Sequence, residues 1–392
     1  MIQLAEHQFC TGCGVCAFKC PKNCITMRED SIGVVYPEID NTNCIECGLC
    51  QKSCPIVNKT EGNKPSACYA AWSNTETERS TSASGGIAVE MYKFAIENGY
   101  TVVGASQNHD FSVTHKITNR IEEISQFKNS KYVFSDAYNV FPAIDKALKN
   151  GKKVLFIGLA CQVAALRQIY KNDANLILVD LVCHGSTPLT YLKQHISDLE
   201  GKAGKKACSM SFRDPDFYTY TYTFTLYDSN GERFYAKRTK DGDTYQIGYH
   251  RGISYRENCY HCPFTEYRPA DITLADYSGL GRALPWDKPL MKVSALLTDT
   301  EKGQKFVDGL IATCAIYTEE RPVQEAVDGN GPLRIPTPKN EMRIEFEKRI
   351  KECNGDFEKA ITPIVNKYMR REKSVIRKFY LRVVGKIKRI LK

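Results

Sequence analysis

The spacing of apolar residues changes twice along the chain. Beyond the polar stretch Asn58-Lys-Thr-Glu-Gly-Asn-Lys-Pro65, which reads as a linker, helical and strand-like periods alternate. Gly85 to Asn98 has helical spacing, halts at Gly99 and leads into the strand-like Tyr100-Thr-Val-Val-Gly-Ala. Val140 to Asn150 repeats the device, with Gly151 as the stop and Lys153-Val-Leu-Phe-Ile-Gly158 as a buried strand. A helix from Gln162 to Tyr170 and a strand from Asn175 to Cys183 follow. This βαβ order predicts a parallel or mixed sheet with helices packed on it, an α/β (α+β) fold class. From Cys208 to Lys237 the period becomes two, with a turn at Ser229-Asn-Gly231. Its aromatic-Thr run, Phe217 to Tyr227, reads as a half-exposed strand pair; no basic residue interleaves it as base stacking would require.

Composition adds a division into three. The 392 residues are 42% hydrophobic and 25% charged, which excludes a disordered or fibrous chain. The net charge of +9 is unevenly held: Lys367 to Lys392 carry eleven Lys/Arg and one acid, a local +10, and the remainder is −1. Nucleic acid is therefore not an expected partner. In the tail, Ile376, Phe379, Tyr380, Val383, Val384, Ile387, Ile390 and Leu391 recur at helical spacing. Such a basic amphipathic helix suits an anionic membrane surface, or packs on the body or on a partner subunit of an oligomer. The start, MIQLAEHQFC, lacks a signal-peptide signature, and no apolar run is long enough to span a bilayer. The expected location is the cytoplasm, peripheral to the inner face of the membrane if the tail docks there. In a reducing compartment, seventeen cysteines point to metal or cluster ligation before disulfides.

Nine of those cysteines fall in the first 54 residues. Cys10-Thr-Gly-Cys13-Gly-Val-Cys16-Ala-Phe-Lys-Cys20-Pro21 recurs 34 residues later as Cys44-Ile-Glu-Cys47-Gly-Leu-Cys50-Gln-Lys-Ser-Cys54-Pro55. In C-x2-C-x2-C-x3-C-P, three thiolates wrap one cubane while the fourth, before proline, projects to the cluster of the other copy. Cys10, Cys13, Cys16 and Cys54 are thus assigned to one 4Fe-4S cluster, and Cys44, Cys47, Cys50 and Cys20 to a second. Cys24 to Pro37 reads as a hairpin turning near Ser31 to Gly33. The segment closely resembles a bacterial-type 2[4Fe-4S] ferredoxin domain; structural zinc is the weaker reading, since zinc modules pair two knuckles. Cys24 lies outside the pattern and reads as a small buried residue.

Four further cysteines stand where loops leave strands or form a knuckle: Cys161, Cys183 and the pair Cys259-Tyr-His-Cys262. Parallel strands ending side by side would bring Cys161 and Cys183 together, and the knuckle would complete four thiolates. On spacing alone, a third cluster stands level with a mixture of structural cysteines and zinc.

Six segments then carry a family resemblance: Ala83-Ser-Gly-Gly-Ile87, Asn129 to Ser135, Val154 to Leu166, Val179 to Gly185, Cys259 to Cys262, and Ala270 to Asp276. Together they look like the family of coenzyme F-420 hydrogenase/dehydrogenase beta subunits over about residues 66–315. That resemblance implies a flavoprotein binding FAD and a 4Fe-4S cluster, the latter held by Cys161, Cys183, Cys259 and Cys262. It places the flavin at Ser84, Gly85 and Gly86 and at Ser130, Lys131, Tyr132 and Ser135. Gly85-Gly86 at a helix start admits a pyrophosphate to backbone N–H groups, and Lys131 offsets phosphate charge or reaches the flavin ring; a simple tight turn is the alternative for the two glycines. His184, beside a presumed ligand, is a candidate proton donor or a hydrogen-bond donor to sulfur.

The expected organisation is a two-cluster ferredoxin domain at 1–62, a mixed-sheet α/β domain binding FAD and a 4Fe-4S cluster at 66–335, and a helical basic tail at 340–392. The expected activity is that of an iron–sulfur flavoprotein oxidoreductase. It would pass electrons between a small-molecule hydride donor or acceptor and a redox partner protein, such as a ferredoxin or reductase. The alternative is an electron wire without its own substrate, docked to a partner or membrane surface in a pathway such as surface-glycan assembly.

Overall fold

The computed structural model describes residues 2–374. The apolar stripe of the tail, Ile376 to Leu391, lies outside the described residues, and so does the membrane-docking expectation built on it.

The strands are β1 Ile25–Glu29, β2 Val35–Ile39, β3 Ala67–Ser73, β4 Tyr100–Gln107, β5 Val113–Thr118, β6 Ser135–Asp136, β7 Lys153–Leu159, β8 Leu176–Leu181, β9 Ser209–Ser211, β10 Thr223–Tyr227, β11 Arg233–Arg238, β12 Ile272–Asp276, β13 Ser294–Thr298 and β14 Ile316–Glu320. Nine of them form one sheet in the order β14-β3-β13-β12-β8-β7-β4-β5-β6. Its centre, β12-β8-β7-β4, is parallel, whereas β13, β3, β14 and β5 join antiparallel. The α/β class read from the periodicity is the observed one.

Consecutive residues of the central strands serve opposite faces, as the pleat requires. Val102, Leu155 and Ile177 pack with helices Ile87–Glu97 and Glu301–Ala312. Their neighbours Val103, Phe156 and Leu178 pack with helices Phe141–Lys149 and Ala160–Tyr170. Each fully buried side chain of this size stabilises the fold by about 1.5–3 kcal/mol, so both faces are tightly specified.

A second lobe is built on the sheet β11-β10-β9. Helices Leu189–Ala203, Thr244–His250, Glu341–Glu352 and Phe357–Lys373 share one core with it, centred on Tyr191, Phe212, Phe224, Tyr245, Phe346 and Phe357. Residues 341–365 of the segment expected to be a tail therefore contribute to this core. The aromatic run departs from the strand reading. Residues 217–222 form 3₁₀ turns, with Tyr218 and Tyr222 at φ of +61° and +51°, and β10 begins only at Thr223. Side-chain partners override the alternation: Thr219 is fully buried against the remote Ser82 O, and Tyr222 lies 4.5 Å beneath the guanidinium of Arg213 just upstream.

At the N-terminus β1 and β2 form the predicted hairpin, and Asp30 Oδ1 accepts from the N–H groups of Ile32 and Val34 to fix its turn. Short helices Val15–Phe18 and Leu49–Ser53 each start at a glycine in left-handed conformation, Gly14 and Gly48. Among the described residues no helix is long and apolar enough to cross a membrane.

Candidate metal centres and the adjoining cleft

The double repeat produces two cavities. One is lined by Cys10, Cys13, Cys16 and Cys54 with Leu4, Val15, Met27 and Ile56. The other is lined by Cys44, Cys47, Cys50 and Cys20 with Ile2, Ile25 and Ile39. The glycine that opens each short helix turns the chain so that Cys16 and Cys50 face inward with their two predecessors. Burial pushes the Cys13 thiol up to about 12 and raises Cys10 and Cys16. Such thiols hold their protons unless a cation takes their place, which is the donor chemistry of a thiolate-ligated metal site. Among the described residues no three His, Cys, Asp or Glu side chains converge on a single ion position. A cubane, with irons and sulfides between its thiolates, needs ligands spread around a volume, and the cysteine sets fit that demand.

Cys24, read from the sequence as an ordinary buried residue, lines the second cavity with its Sγ 3.3 Å from Cys20 Sγ. The hydrogen bond to Cys20, with burial added, lifts its pKa to about 11.

A third cavity lies at the carboxyl ends of the parallel strands, where α/β sheets place ligands. β7 runs into helix Ala160–Tyr170, whose second residue is Cys161; the loop after β8 carries Cys183; the 3₁₀ turn Glu257–His261 presents Cys259 and leads to Cys262. All four line one cavity together with Thr11, Gly12 and Cys13 of the first repeat. Burial pushes Cys183 to about 12, Cys262 to about 11 and Cys161 well above its ordinary value. Ser186 donates its backbone N–H to Cys259 Sγ at 3.4 Å. Arg268, 1% exposed, pairs with Asp180 Oδ1 at 2.8 Å, and its charge opposes the rise at Cys183 and Cys262.

The residues expected around a flavin are divided. Ser135 lines the third cavity, where its carbonyl and hydroxyl accept from Gln162 Nε2. Ser130 and Lys131 line a separate polar cavity of about 420 Å³ with Gln107, Gln126 and Asp214. Tyr132 stacks on Tyr249, with ring centroids 4.3 Å apart. Ser84 donates to Val293 O, and Gly85 lies so close to β3 and β13 that a Cβ would fall 2.5 Å from Ala71 O. Helix–sheet packing thus already demands the glycine at 85. Lys128, just before the second group, donates to Glu78 and Thr81 of the helix that precedes the first.

Lys131 donates to the carbonyls of Lys128 and Asn129, and desolvation pulls its pKa down to about 7. In the same cavity Asn129 Oδ1 is buried without a hydrogen-bond partner. A desolvated cation suits an anionic group and the unpaired amide oxygen a hydroxyl or N–H donor, a combination that a phosphate-bearing cofactor offers; Asp214 and Asp216 line the same cavity and leave the anion to the Lys128 and Lys131 side chains. His184 sits at the rim of the third cavity, its carbonyl accepting from Thr337 Oγ1 at 2.7 Å. Desolvation lowers its pKa while Asp276 acts in the opposite direction. Sequence reasoning missed Arg256, Arg268 and Arg213, which act here through contacts remote in the chain and carry no local motif.

Thiol-lined cavities in a double repeat, set against a mixed α/β sheet, define an iron–sulfur protein of the oxidoreductase, electron-transfer class. Residues 9–57 match the 4Fe-4S dicluster domain, and residues 151–324 match the family described as the C terminus of the coenzyme F420 hydrogenase/dehydrogenase beta subunit. The resemblance read from the sequence is thereby shown as a match: one stretch of the chain is similar to a 4Fe-4S dicluster domain and another to that family, and four of the six segments, Val154 to Leu166, Val179 to Gly185, Cys259 to Cys262 and Ala270 to Asp276, fall within the matched residues. The chain is 21% identical over 344 residues to the F subunit of the F(420)H(2) dehydrogenase of Methanosarcina mazei, covering 83% of this chain and 89% of the relative. It is 26% identical over 181 residues to "Coenzyme F420-dependent sulfite reductase" of Methanocaldococcus jannaschii, covering 43% of this chain and 26% of that protein. A chain in a solved F420-reducing [NiFe] hydrogenase complex from Methanosarcina barkeri is 18% identical with a TM-score of 0.47, over 74% of this chain and 94% of that one.

Proposed function

We propose that this protein is an oxidoreductase subunit that moves electrons between a hydride-carrying small molecule at FAD and a one-electron partner protein, through three 4Fe-4S clusters. The observation that carries the reading is the shared cavity: Cys13 of the first repeat lines the same space as Cys161, Cys183, Cys259 and Cys262. This gives a spatial order in which the first repeat adjoins the third cysteine set and the second repeat, whose Cys47 is exposed, stands on the partner's side, with electrons running in whichever direction the potentials dictate. The two F420-dependent relatives support a deazaflavin such as coenzyme F420 as the hydride carrier.

FAD, when bound, supplies the conversion between two-electron and one-electron chemistry. The chain's own residues bind and orient it. Lys131 and the 82–86 and 128–132 segments offer charge and hydrogen bonds to its anionic part, Tyr132 and Ser135 border the path to the third cysteine set, and His184 offers a ring N–H at the rim. Apolar linings around each cysteine set exclude water and favour the delocalised charge of a cluster.

Anaerobic purification with iron, sulfide and flavin counts tests this. About twelve irons and one FAD per chain are expected; about eight irons and no flavin would overturn it and leave an electron wire. A second measurement probes Lys131, held near 7 by desolvation. Because the cation is neutral above that pH and charged when an anion binds, FAD binding at pH 7–8 takes up a proton, and affinity falls as pH rises. Calorimetry in buffers of differing ionisation heat reads that proton, and Lys131→Met abolishes it.

A further inference from the structure

Between the first repeat and the third cysteine set lies a buried arginine. Arg256 is 3% exposed. Its Nη1 donates to Thr11 O at 2.8 Å, and its guanidinium stacks 4.3 Å over the ring of Phe134. The backbone binds it to the other side: Arg256 N donates to Ser186 O at 2.9 Å, and Cys259 N donates to Arg256 O at 3.0 Å. The side chain therefore reaches from the Cys183 and Cys259 loops into the loop between Cys10 and Cys13. Gly12 makes room for it: a Cβ there would lie 2.8 Å from Nη2 and 2.7 Å from Val35 O. Nε and Nη2 are buried and have no hydrogen-bond partner.

Such a cation is costly unless negative charge lies close by. Both cysteine sets lie against it: Arg256 lines the cavity that Cys13 shares with Cys161, Cys183, Cys259 and Cys262, and Nη1 meets Thr11 O between Cys10 and Cys13. A cluster held by four thiolates carries net negative charge, and one on each side would complete the environment of this guanidinium.

We propose that Arg256 is a positioning residue for electron transfer, a single cation shared by the first-repeat cluster and the Cys161/Cys183/Cys259/Cys262 cluster that favours the reduced state of both. The proposal rests on the three-cluster reading above. In the step it serves, one cluster loses one electron and the other gains it; no bond forms or breaks and no proton moves. Because the shared charge favours reduction on either side, the electron crosses between two similarly stabilised sites. The Cys20/Cys44/Cys47/Cys50 cluster has no part in the arrangement and serves as an internal reference.

The test is an EPR-monitored redox titration of the full chain, purified anaerobically, as wild type, Arg256→Gln and Arg256→Lys, with iron counted in each. Loss of one signal in Cys47→Ala identifies the reference cluster. In Arg256→Gln the reduced-to-oxidised ratio at a fixed solution potential is expected to fall about tenfold at the two flanking clusters, roughly 59 mV for a one-electron couple, and to stay unchanged at the reference. Arg256→Lys keeps the charge but loses the planar stack, so a smaller shift with the same confinement is expected, and it serves alone if the glutamine variant does not fold. About twelve irons with no shift, or with an equal shift at all three clusters, overturns the role of Arg256. About eight irons in the wild type would instead defeat the three-cluster reading.

Discussion

The two copies of the cysteine repeat have the same ligand spacing and opposite surroundings. In the first, Val15 is 1% exposed inside the core formed with Val140, Phe141 and Val154, and Phe18 meets Phe141 edge to face at 5.7 Å. The residues 34 places later are Leu49, 40% exposed, and Lys52. Thr11 and Gly12, where Arg256 enters, correspond to Ile45, 57% exposed, and Glu46. The second copy touches the body at its far turn, where Gln168 Nε2 donates to Lys52 O, but its exposed Cys47 faces away. Cysteine spacing thus defines what each cavity can hold, and the residues between the cysteines define which copy faces inward and which faces a partner.

The sharpest way to break this comparison is through the matched glycines. A Cβ on Gly14 would fall 2.6 Å from the Tyr138 ring at a φ of +74°, whereas one on Gly48, at +70°, would meet Gln51 Oε1 at an ordinary contact distance of 3.8 Å. Gly14→Ala is expected to cost about 2–5 kcal/mol, strain plus overpacking, and Gly48→Ala about 1–2 kcal/mol from the backbone alone. Thermal unfolding of the two variants measures the difference, and equal losses would remove the asymmetry.

A pH ramp separates the repeats from the second lobe. Burial alone would lower the pKa of His195, but Asp243, 3.3 Å from Nε2, and Glu358, 2.7 Å from Nδ1, raise it to about 9. A folded-state value above the unfolded one, near 6.5, gives stability that is present in full below about pH 6.5 and lost as pH rises through about 9. Unfolding midpoints should therefore fall over that window, and His195→Gln should flatten the slope without changing iron content at either repeat.

The smallest expected effect lies on the outward copy. Ile45→Ser and Leu49→Ser should change stability by no more than about 0.5 kcal/mol. If this face meets the redox partner, they slow reduction of a one-electron acceptor protein severalfold while leaving reduction by dithionite unaltered.

Much of this was legible in the residues. The alternation of apolar periods predicts the helices and strands at 85–105 and 140–183, since each is long enough for burial on a definite face to decide it, while β5 and β6 between them carry no such signal. The C-x2-C-x2-C-x3-C-P spacing predicts which cysteines share the first two cavities, because short loops leave little freedom. Residues 217–222 misread as strand because Ser82, distant in the chain, and Arg213, a few residues upstream, set the turns. Arg256 was invisible for a similar reason: its partners Thr11, Phe134 and Ser186 come from three separate loops. Even the orientation of the repeats was written in Val15 and Phe18 against Leu49 and Lys52, but only a body to pack against gives that contrast meaning.

The exchange of fourth cysteines between the copies has a consequence for assembly. Cys54 closes the cavity of the first copy and Cys20 that of the second, so neither half of the domain is a complete vessel. Filling one site clasps the chain into the shape that the other requires, and oxidative damage to one loosens a wall of its neighbour. Loading of this domain should accordingly proceed as one cooperative event, with half-filled molecules scarce at every stage of maturation or decay.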